Sequence, residues 1–89
     1  MSFNVIWNNW YGRKQERTLQ LLLNCYQRLA PTGDVRATHA YTDVDHVEWS
    51  KDGSLVVHLV DGSTEHYISA RRVGDIAAAF QRHCRVVAL

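Results

Sequence analysis

The alternation of apolar and polar residues is clearest between residues 44 and 68. A β-prone run, Leu55–Val60, lies between two Asp-Gly pairs that begin at positions 52 and 61. An Asp-Gly pair flanked by alternating apolar residues is a strong local signal for a β-hairpin. The pattern therefore predicts a three-stranded antiparallel meander with strands near 44–50, 55–60 and 64–68.

The length of the two turns decides which residues share a face of this meander. Three-residue Asp-Gly-Ser turns, with glycine in the left-handed conformation, separate apolar from polar side chains, whereas two-residue turns mix them. The three-residue register pairs Trp49 with Val57, Val47 with Leu59, and Val57 with Tyr67. It predicts an apolar face of Val47, Trp49, Leu55, Val57, Leu59 and Tyr67. The opposite face is mixed and carries His46, Glu48, Ser50, Val56, His58, Val60, Thr64, His66 and Ile68.

Two other segments have apolar residues at the three- and four-residue steps of an amphipathic helix. In residues 13–30 these are Leu19, Leu22, Leu23, Tyr26 and Leu29, and Pro31 with Gly33 gives a stop signal. In residues 70–84 they are Val73, Ile76, Ala77 and Phe80, with Ser69 as a possible N-cap.

The remaining segments favour strands. Residues 3–7 alternate as a short strand, a further strand is expected near 35–42, and residues 85–89 form a final strand or a docked tail. The fold expected is therefore a single α+β domain spanning residues 1–89. Its antiparallel sheet has about four to five strands, with two helices packed on one face in the order β-α-β-β-β-α.

Composition is that of an ordinary globular chain, but charge is segregated. Apolar residues make up 46% and charged residues 21% of the 89 residues, which argues against disorder. The net charge of +1 provides no bulk attraction to nucleic acid or membrane. Residues 43–65, however, contain six acidic groups and one lysine, while residues 1–42 and 66–89 are both net basic. We expect an acidic sheet between basic helices.

Few residues offer enzymatic chemistry. There is no glycine-rich phosphate loop, no G-x-S-x-G and no C-x-x-C, and the two cysteines, Cys25 and Cys84, are expected to be buried and reduced. The first ten residues lack a basic leader and a long apolar run, so we expect no signal peptide and a cytoplasmic location. The chain is therefore expected not to be an enzyme and to need no cofactor.

Several histidines and carboxylates are of the types that bind metal ions. Glu48, His58 and His66 are expected to line up across three strands, which suits either a metal or general-base site or a polar ladder on a solvated face. The spacing of His39, Asp43, Asp45 and His46 matches no specific metal-binding loop. We expect the ligand-type residues not to converge on a site, and therefore no metal ion; they are His39, Asp43, Asp45, His46, His58 and His66.

The charge distribution favours protein binding. A basic partner would be attracted to the acidic segment and the mixed sheet face, through Asp43, Asp45, Glu48, Asp52, His58, Asp61, Glu65 and His66. The alternative is a small nucleic-acid-binding regulator that uses Arg71, Arg72, Arg82 and Arg85. In size, lack of catalytic motifs and charge layout, the chain resembles the small stand-alone inhibitors made by mobile elements, anti-CRISPR proteins among them. No sequence motif carries this resemblance.

Overall fold

Eight strands and one α-helix make up the computed structural model, which describes residues 1–89. The strands are β1 (Ser2–Asn8), β2 (Lys14–Leu21), β3 (Cys25–Leu29), β4 (Val35–Ala40), β5 (Val44–Trp49), β6 (Ser54–Leu59), β7 (Thr64–Ile68) and β8 (Val86–Ala88). The helix, α1, spans Val73–Gln81, and a 3-10 turn, Tyr41–Asp43, joins β4 to β5. The expectation of two helices with four to five strands is therefore wrong, although a helix and a sheet are both present.

All eight strands belong to one sheet, in the order β4-β3-β2-β1-β7-β6-β5-β8. The first four strands form one antiparallel meander and β5–β7 form another. The two meanders join where β1 pairs with β7, through Ile6–Ile68, Trp7–Tyr67 and Asn8–His66. Strand β8 adds to the free side of β5 and is the only parallel strand in the sheet.

The predicted meander of β5, β6 and β7 is confirmed, together with its two faces. Both turns have three residues and a glycine at positive φ, 104° at Gly53 and 91° at Gly62. The predicted pairing is wrong by two residues, because the turns are 51–53 and 60–62 rather than Asp-Gly-Ser. Trp49 pairs with Leu55 and Val47 with Val57. A two-residue shift keeps every side chain on its predicted face.

The helix predicted for residues 13–30 does not exist. The segment forms β2 and β3, and Leu22 and Leu23 lie in the exposed turn between them. Leu19 and Leu21 are buried on one face of β2, while Thr18 and Gln20 alternate with them. Buried residues in this strand therefore repeat every two positions. The helical spacing appeared only because Leu22 and Leu23, which lie in the turn, were included in the apolar stripe.

The second predicted helix is confirmed but is shorter at both ends. It begins at Val73, and Ser69 supports the preceding turn by accepting a hydrogen bond from the Arg72 backbone N–H at 3.3 Å. The expected stripe is buried, and Phe80 meets Tyr26 of β3 edge-to-face with ring centroids 5.2 Å apart. The short final strand, one of two alternatives expected for residues 85–89, is also present as β8.

The sheet is strongly curved around this helix. Eight flat strands at a spacing of about 4.8 Å would span roughly 34 Å, whereas the longest dimension of the molecule is 29 Å. The concave face holds the core, which includes Leu19, Tyr26, Val47, Val57, Tyr67 and Phe80. None of the helical segments could span a bilayer. The curvature brings side chains of β3 and β4 close to β7, and this proximity shapes the candidate site.

Candidate functional site

The β1–β2 turn presents two aromatic side chains to solvent at one end of the sheet. Trp10 and Tyr11 are 84% and 73% exposed, and their ring centroids lie 3.7 Å apart. The side-chain oxygen of Asn9 accepts hydrogen bonds from the backbone N–H groups of Tyr11 and Arg13, both at 3.0 Å. Gly12 completes the turn at a φ of 80°, which side-chain-bearing residues rarely adopt. The turn therefore holds a pair of exposed aromatic rings in a defined place.

A cleft of ≈ 580 Å³ opens beside this aromatic turn. The β1–β2 hairpin forms one side through Trp7 and Trp10, and the start of β7 forms another through residues 63–66. His39 of β4 also lines the cleft, although β4 is an outer strand of the sheet. Sheet curvature thus converts distant strands into walls of one concavity, as in the mouth of a small barrel.

Glu65 lies in this cleft and is surrounded by hydrogen-bond donors. Its Oε1 accepts hydrogen bonds from the hydroxyls of Tyr67 at 2.7 Å and Tyr26 at 2.9 Å. Its Oε2 accepts a hydrogen bond from the Arg28 guanidinium at 2.5 Å and lies 3.3 Å from Nε2 of His39. The side chains of Arg28 and Glu65 are only 10% and 12% exposed.

Ionisation in this network follows from burial and charge. Burial alone would raise the pKa of Glu65, but the hydrogen bond from Tyr67 and the charge of Arg28 outweigh it and hold that pKa below its ordinary value. Burial and the adjacent Glu65 charge raise the pKa values of the Tyr26 and Tyr67 hydroxyls far above their ordinary range. At neutral pH the carboxylate is therefore charged, and both phenols act as neutral donors.

The Arg28 guanidinium is also held from its other side. It lies over the Trp7 ring, 3.8 Å from the ring centroid, which is a cation–π contact. Trp7 itself packs against the core as a partly buried residue. Because Arg28 and Glu65 neutralise each other and Glu65 already has several donors, the network is better suited to holding the sheet together than to catalysis.

Two expected partner-binding carboxylates lie at the same end of the sheet as the aromatic turn. Asp61 is exposed in the β6–β7 turn, and Asp43 is exposed beside it, since the Val60 N–H donates to the Asp43 carbonyl at 2.9 Å. Hydrogen bonds from Ser63 hold the pKa of Asp61 below its ordinary value. Asp61 is therefore charged at neutral pH, and both side chains are exposed to a partner.

The other expected partner-binding carboxylates are differently placed. Asp52 is exposed in the β5–β6 turn, at the opposite end of the sheet, and hydrogen bonds from Ser54 lower its pKa. Asp45 bonds to His46 at 2.6 Å, which lowers the pKa of Asp45. Glu65 lies on the concave face. The acidic segment is therefore not one continuous acidic surface.

The expected ladder of Glu48, His58 and His66 forms only in part. Glu48 contacts His58, but His66 lies opposite Val56 and its Nε2 is 3.1 Å from the Thr64 hydroxyl. His46 takes the place that was expected for His66. It pairs directly with His58, contrary to the expectation that these ligand-type residues would not converge.

The four arginines proposed for nucleic-acid binding do not form one helix face. Arg71 and Arg72 precede α1, whereas Arg82 and Arg85 follow it, about 15 Å away at 1.5 Å per helical residue. Arg72 is also paired with Asp75 at 2.9 Å. The basic residues of the predicted first helix are separated as well, because that segment consists of strands.

The cysteines have no features of nucleophiles. Both are free and partly buried, and burial raises the pKa of the Cys84 thiol. A reactive thiol needs its pKa lowered by neighbouring positive charge.

Tyr41 is buried, and its ring stacks on the imidazole of His83 with ring centroids 4.1 Å apart. Burial raises the pKa of the Tyr41 hydroxyl to about 12.

The partners of Glu65 could not be identified from sequence alone. Tyr26 and Arg28 share a face of β3 because Gln27 separates them, but that relationship holds only for a strand. The period-two pattern of residues 15–21 was the available signal for strands in this region. The chain matches no protein-family model and no curated protein by sequence.

Proposed function

We propose that this chain is a small non-enzymatic protein-binding module. Its proposed binding surface, which we call the hairpin-end surface, consists of Trp10, Tyr11, Asp43, Val60, Asp61 and His66. The observation that carries the proposal is the exposure of Trp10 and Tyr11 on an ordered turn. Tryptophan and tyrosine are enriched among the residues that dominate binding energy at protein interfaces.

Topology supports treating these residues as one surface. Strand β1 ends where β7 begins, since Asn8 pairs with His66, so the β1–β2 and β6–β7 turns lie at the same end of the sheet. Trp10 and His66 line the same cleft. Val60, which is 62% exposed, adds apolar area between the carboxylates of Asp43 and Asp61. Aromatic anchors surrounded by charged groups are typical of protein interfaces.

The charge on this surface suggests a partner with a basic patch. Asp43 and Asp61 would attract such a partner over about one Debye length, which is ~8 Å at physiological salt. A module of this kind could inhibit its partner by occupying a basic groove, as a stand-alone inhibitor resembling the anti-CRISPR proteins would. Nucleic-acid binding receives no comparable support, because the arginines are dispersed.

Partner capture from host-cell lysate, followed by affinity measurement with the identified partner, tests the proposal. We expect Trp10→Ala with Tyr11→Ala to weaken binding by about 30-fold or more, as loss of an interface hot spot does. Leu23→Ala is the matched control, because Leu23 is 81% exposed in the β2–β3 turn at the other end of the sheet. Equal losses in both variants would contradict the proposed surface.

A second pair of variants tests the charge component. Asp61→Lys should slow association and make it less sensitive to salt, whereas Asp52→Lys should not. The comparison is matched, because each aspartate accepts hydrogen bonds from the serine two residues later in an equivalent turn. Titration with generic duplex and single-stranded DNA completes the test, since tight salt-dependent binding there would favour the nucleic-acid alternative.

A further inference from the structure

Three potential metal ligands, none of them a residue of the hairpin-end surface, meet on the convex face of the sheet. His46 of β5 pairs directly with His58 of β6, and Glu48 lies two residues after His46 on the same face. The nitrogen and oxygen donor atoms of these three side chains all lie within 4.8 Å of one another. The cluster is only partly exposed, with side-chain exposures between 20% and 31%.

The donor atoms converge on one carboxylate oxygen. Nε2 of His46 lies 3.4 Å from Oε1 of Glu48, and Nε2 of His58 contacts the same oxygen. Ligands bound to a tetrahedral ion at about 2.0–2.2 Å stand roughly 3.3 Å apart. The separation between His46 and Glu48 already matches this value, so modest side-chain rotations would admit an ion.

Asp45 prepares His46 for this role. Its Oδ2 lies 2.6 Å from Nδ1 of His46. An ionised carboxylate can only accept, so Nδ1 carries a proton, which leaves Nε2 as the His46 nitrogen that can coordinate an ion. A carboxylate on the far nitrogen of a ligating histidine is the usual support for a metal-bound imidazole.

His58 provides an independent observation. Its Nε2 is buried from solvent and makes no aligned hydrogen bond, even though it contacts the Glu48 carboxylate. A buried polar atom without a hydrogen bond is costly. Coordination of a cation by this nitrogen would remove that cost while retaining Glu48 as a second ligand.

We propose that His46, Glu48 and His58 bind a divalent transition-metal ion of the zinc type, with Asp45 orienting His46. Two imidazoles and one carboxylate suit Zn²⁺ and its neighbours, whereas Ca²⁺ and Mg²⁺ prefer sites made only of oxygen. Three protein ligands leave a fourth tetrahedral position for water or an external ligand.

Ion binding should change the arrangement of the two rings. The imidazoles of His46 and His58 are stacked, with centroids 4.2 Å apart and planes 8° from parallel. The nitrogen lone pairs of two parallel rings lie in two parallel planes. A tetrahedral ion requires both lone pairs to point at the same position. The rings should therefore tilt apart on binding, which gives a spectroscopic signature in addition to affinity.

Zinc titration of the full chain, purified without a histidine tag and freed of metal with a chelator, tests this proposal. We expect one Zn²⁺ per chain by calorimetry, and loss of more than 100-fold in affinity in His58→Ala. Asp45→Asn should weaken binding by about 10- to 100-fold, as loss of an orienting carboxylate does. His66→Ala, on the same face but outside the cluster, should bind zinc like the unaltered chain.

Imidazole ¹⁵N shifts of the unaltered protein provide a readout that does not depend on variant folding. Zinc should shift Nε2 of His46 and His58 and leave His39 and His83 unchanged. The proposal is overturned if zinc at millimolar concentration fails to bind, if His66→Ala abolishes binding, or if the shifted nitrogens belong to other histidines. Because no residue of the hairpin-end surface is a proposed ligand, either proposal can fail without the other.

Discussion

Arg28 on β3 donates a hydrogen bond of 2.5 Å to Glu65 on β7, although β2 and β1 separate these strands in the sheet. In a flat sheet the three intervening spacings would hold the two backbones roughly 14 Å apart. The ion pair therefore bridges the concave side of a curved sheet. Variants of Arg28 and Glu65 therefore test how much this polar contact across the curved sheet contributes to the free energy of unfolding.

Loss of the Glu65 charge should destabilise the protein. We expect Glu65→Gln to lower the free energy of unfolding by about 3 kcal/mol, because Arg28 would remain buried without a counter-charge. Glu16→Gln is the control, since Glu16 is exposed on β2, and should change the free energy by less than about 0.5 kcal/mol. Urea denaturation measures both. Similar losses in the two variants would show that the buried pair contributes little.

Simultaneous removal of both charges should cost less than the sum of the single changes. In the variant Arg28→Met with Glu65→Gln, no uncompensated charge remains in the cleft. A double-mutant cycle in urea measures this coupling. Strict additivity would mean that the two side chains, despite their contact, do not stabilise each other.

Acid should weaken the protein partly through Glu65. The pKa of Glu65 in the folded chain lies below its ordinary value of 4.5, so the unfolded chain binds a proton at higher pH than the folded chain does. The contribution of the ionised Glu65 to the free energy of unfolding is therefore complete above about pH 4.5. It is lost as the pH falls through the pKa that Glu65 has in the folded chain. The groups facing Glu65 are Arg28, His39, Tyr26 and Tyr67. Arg28 stays charged and the two tyrosines stay neutral in this range, because the pKa values of all three are raised and lie above it.

A comparison of pH profiles isolates this contribution. The free energy of unfolding should fall less steeply between pH 5 and pH 3 in Glu65→Gln than in the unaltered chain. Some acid sensitivity should remain in the variant, because Asp52 and Asp61 also have lowered pKa values. Parallel profiles for the two proteins would contradict the assignment.

Neighbouring apolar residues at the end of β6 should differ sharply in importance. Leu59 is 8% exposed on the core face, whereas Val60 is 62% exposed in the turn. We expect Leu59→Ala to cost about 2–5 kcal/mol and Val60→Ala much less. Denaturant melts of the two variants decide the matter, and an equal or larger loss at Val60 would mean that the face assignment is wrong.

The glycines of the two equivalent turns should not tolerate alanine equally. Both have positive φ, so either substitution should cost about 1 kcal/mol from backbone strain. A Cβ at Gly53 would also lie 3.0 Å from the Ala70 Cα, whereas nothing lies within 4 Å of one at Gly62. We therefore expect Gly53→Ala to lower the melting temperature more than Gly62→Ala. The reverse order would show that this backbone contact yields easily.

Local signals in the sequence were sufficient for the strands and faces of residues 35–68, though not for the pairing register, and they were not sufficient for residues 13–30. The Asp-Gly turns define β5, β6 and β7 through contacts between sequence neighbours, which explains why both faces of this meander were predicted correctly. In the earlier segment, Leu22 and Leu23 resemble part of a helical stripe until their position in a turn is known. The alternation of residues 15–21 has a period of two, and the pairing of this segment with β1 in a hairpin shows that this period is the one that operates.

The cluster around Glu48 and the network around Glu65 also differ in how far the sequence alone could predict them. Glu48 and His58 were expected to line up, and they are in contact, but diagonally, because His46 lies opposite His58 and Glu48 lies opposite Val56. Apart from Tyr67, the groups that contact Glu65 come from residues 26–39 positions away in sequence, and their approach depends on sheet curvature. The periodicity of a single strand carries no information about such curvature.

The junction between β1 and β7 has a consequence for how the chain reaches its folded state. Each meander closes through short turns, so its contacts form between residues that are close in sequence. The two meanders join through only three residue pairs, whose partners are 58 to 62 positions apart. Bringing together residues so far apart in sequence carries an entropic cost, and this cost arises before core packing can offset it. Docking of two preformed hairpin assemblies is thus the step expected to set the folding rate.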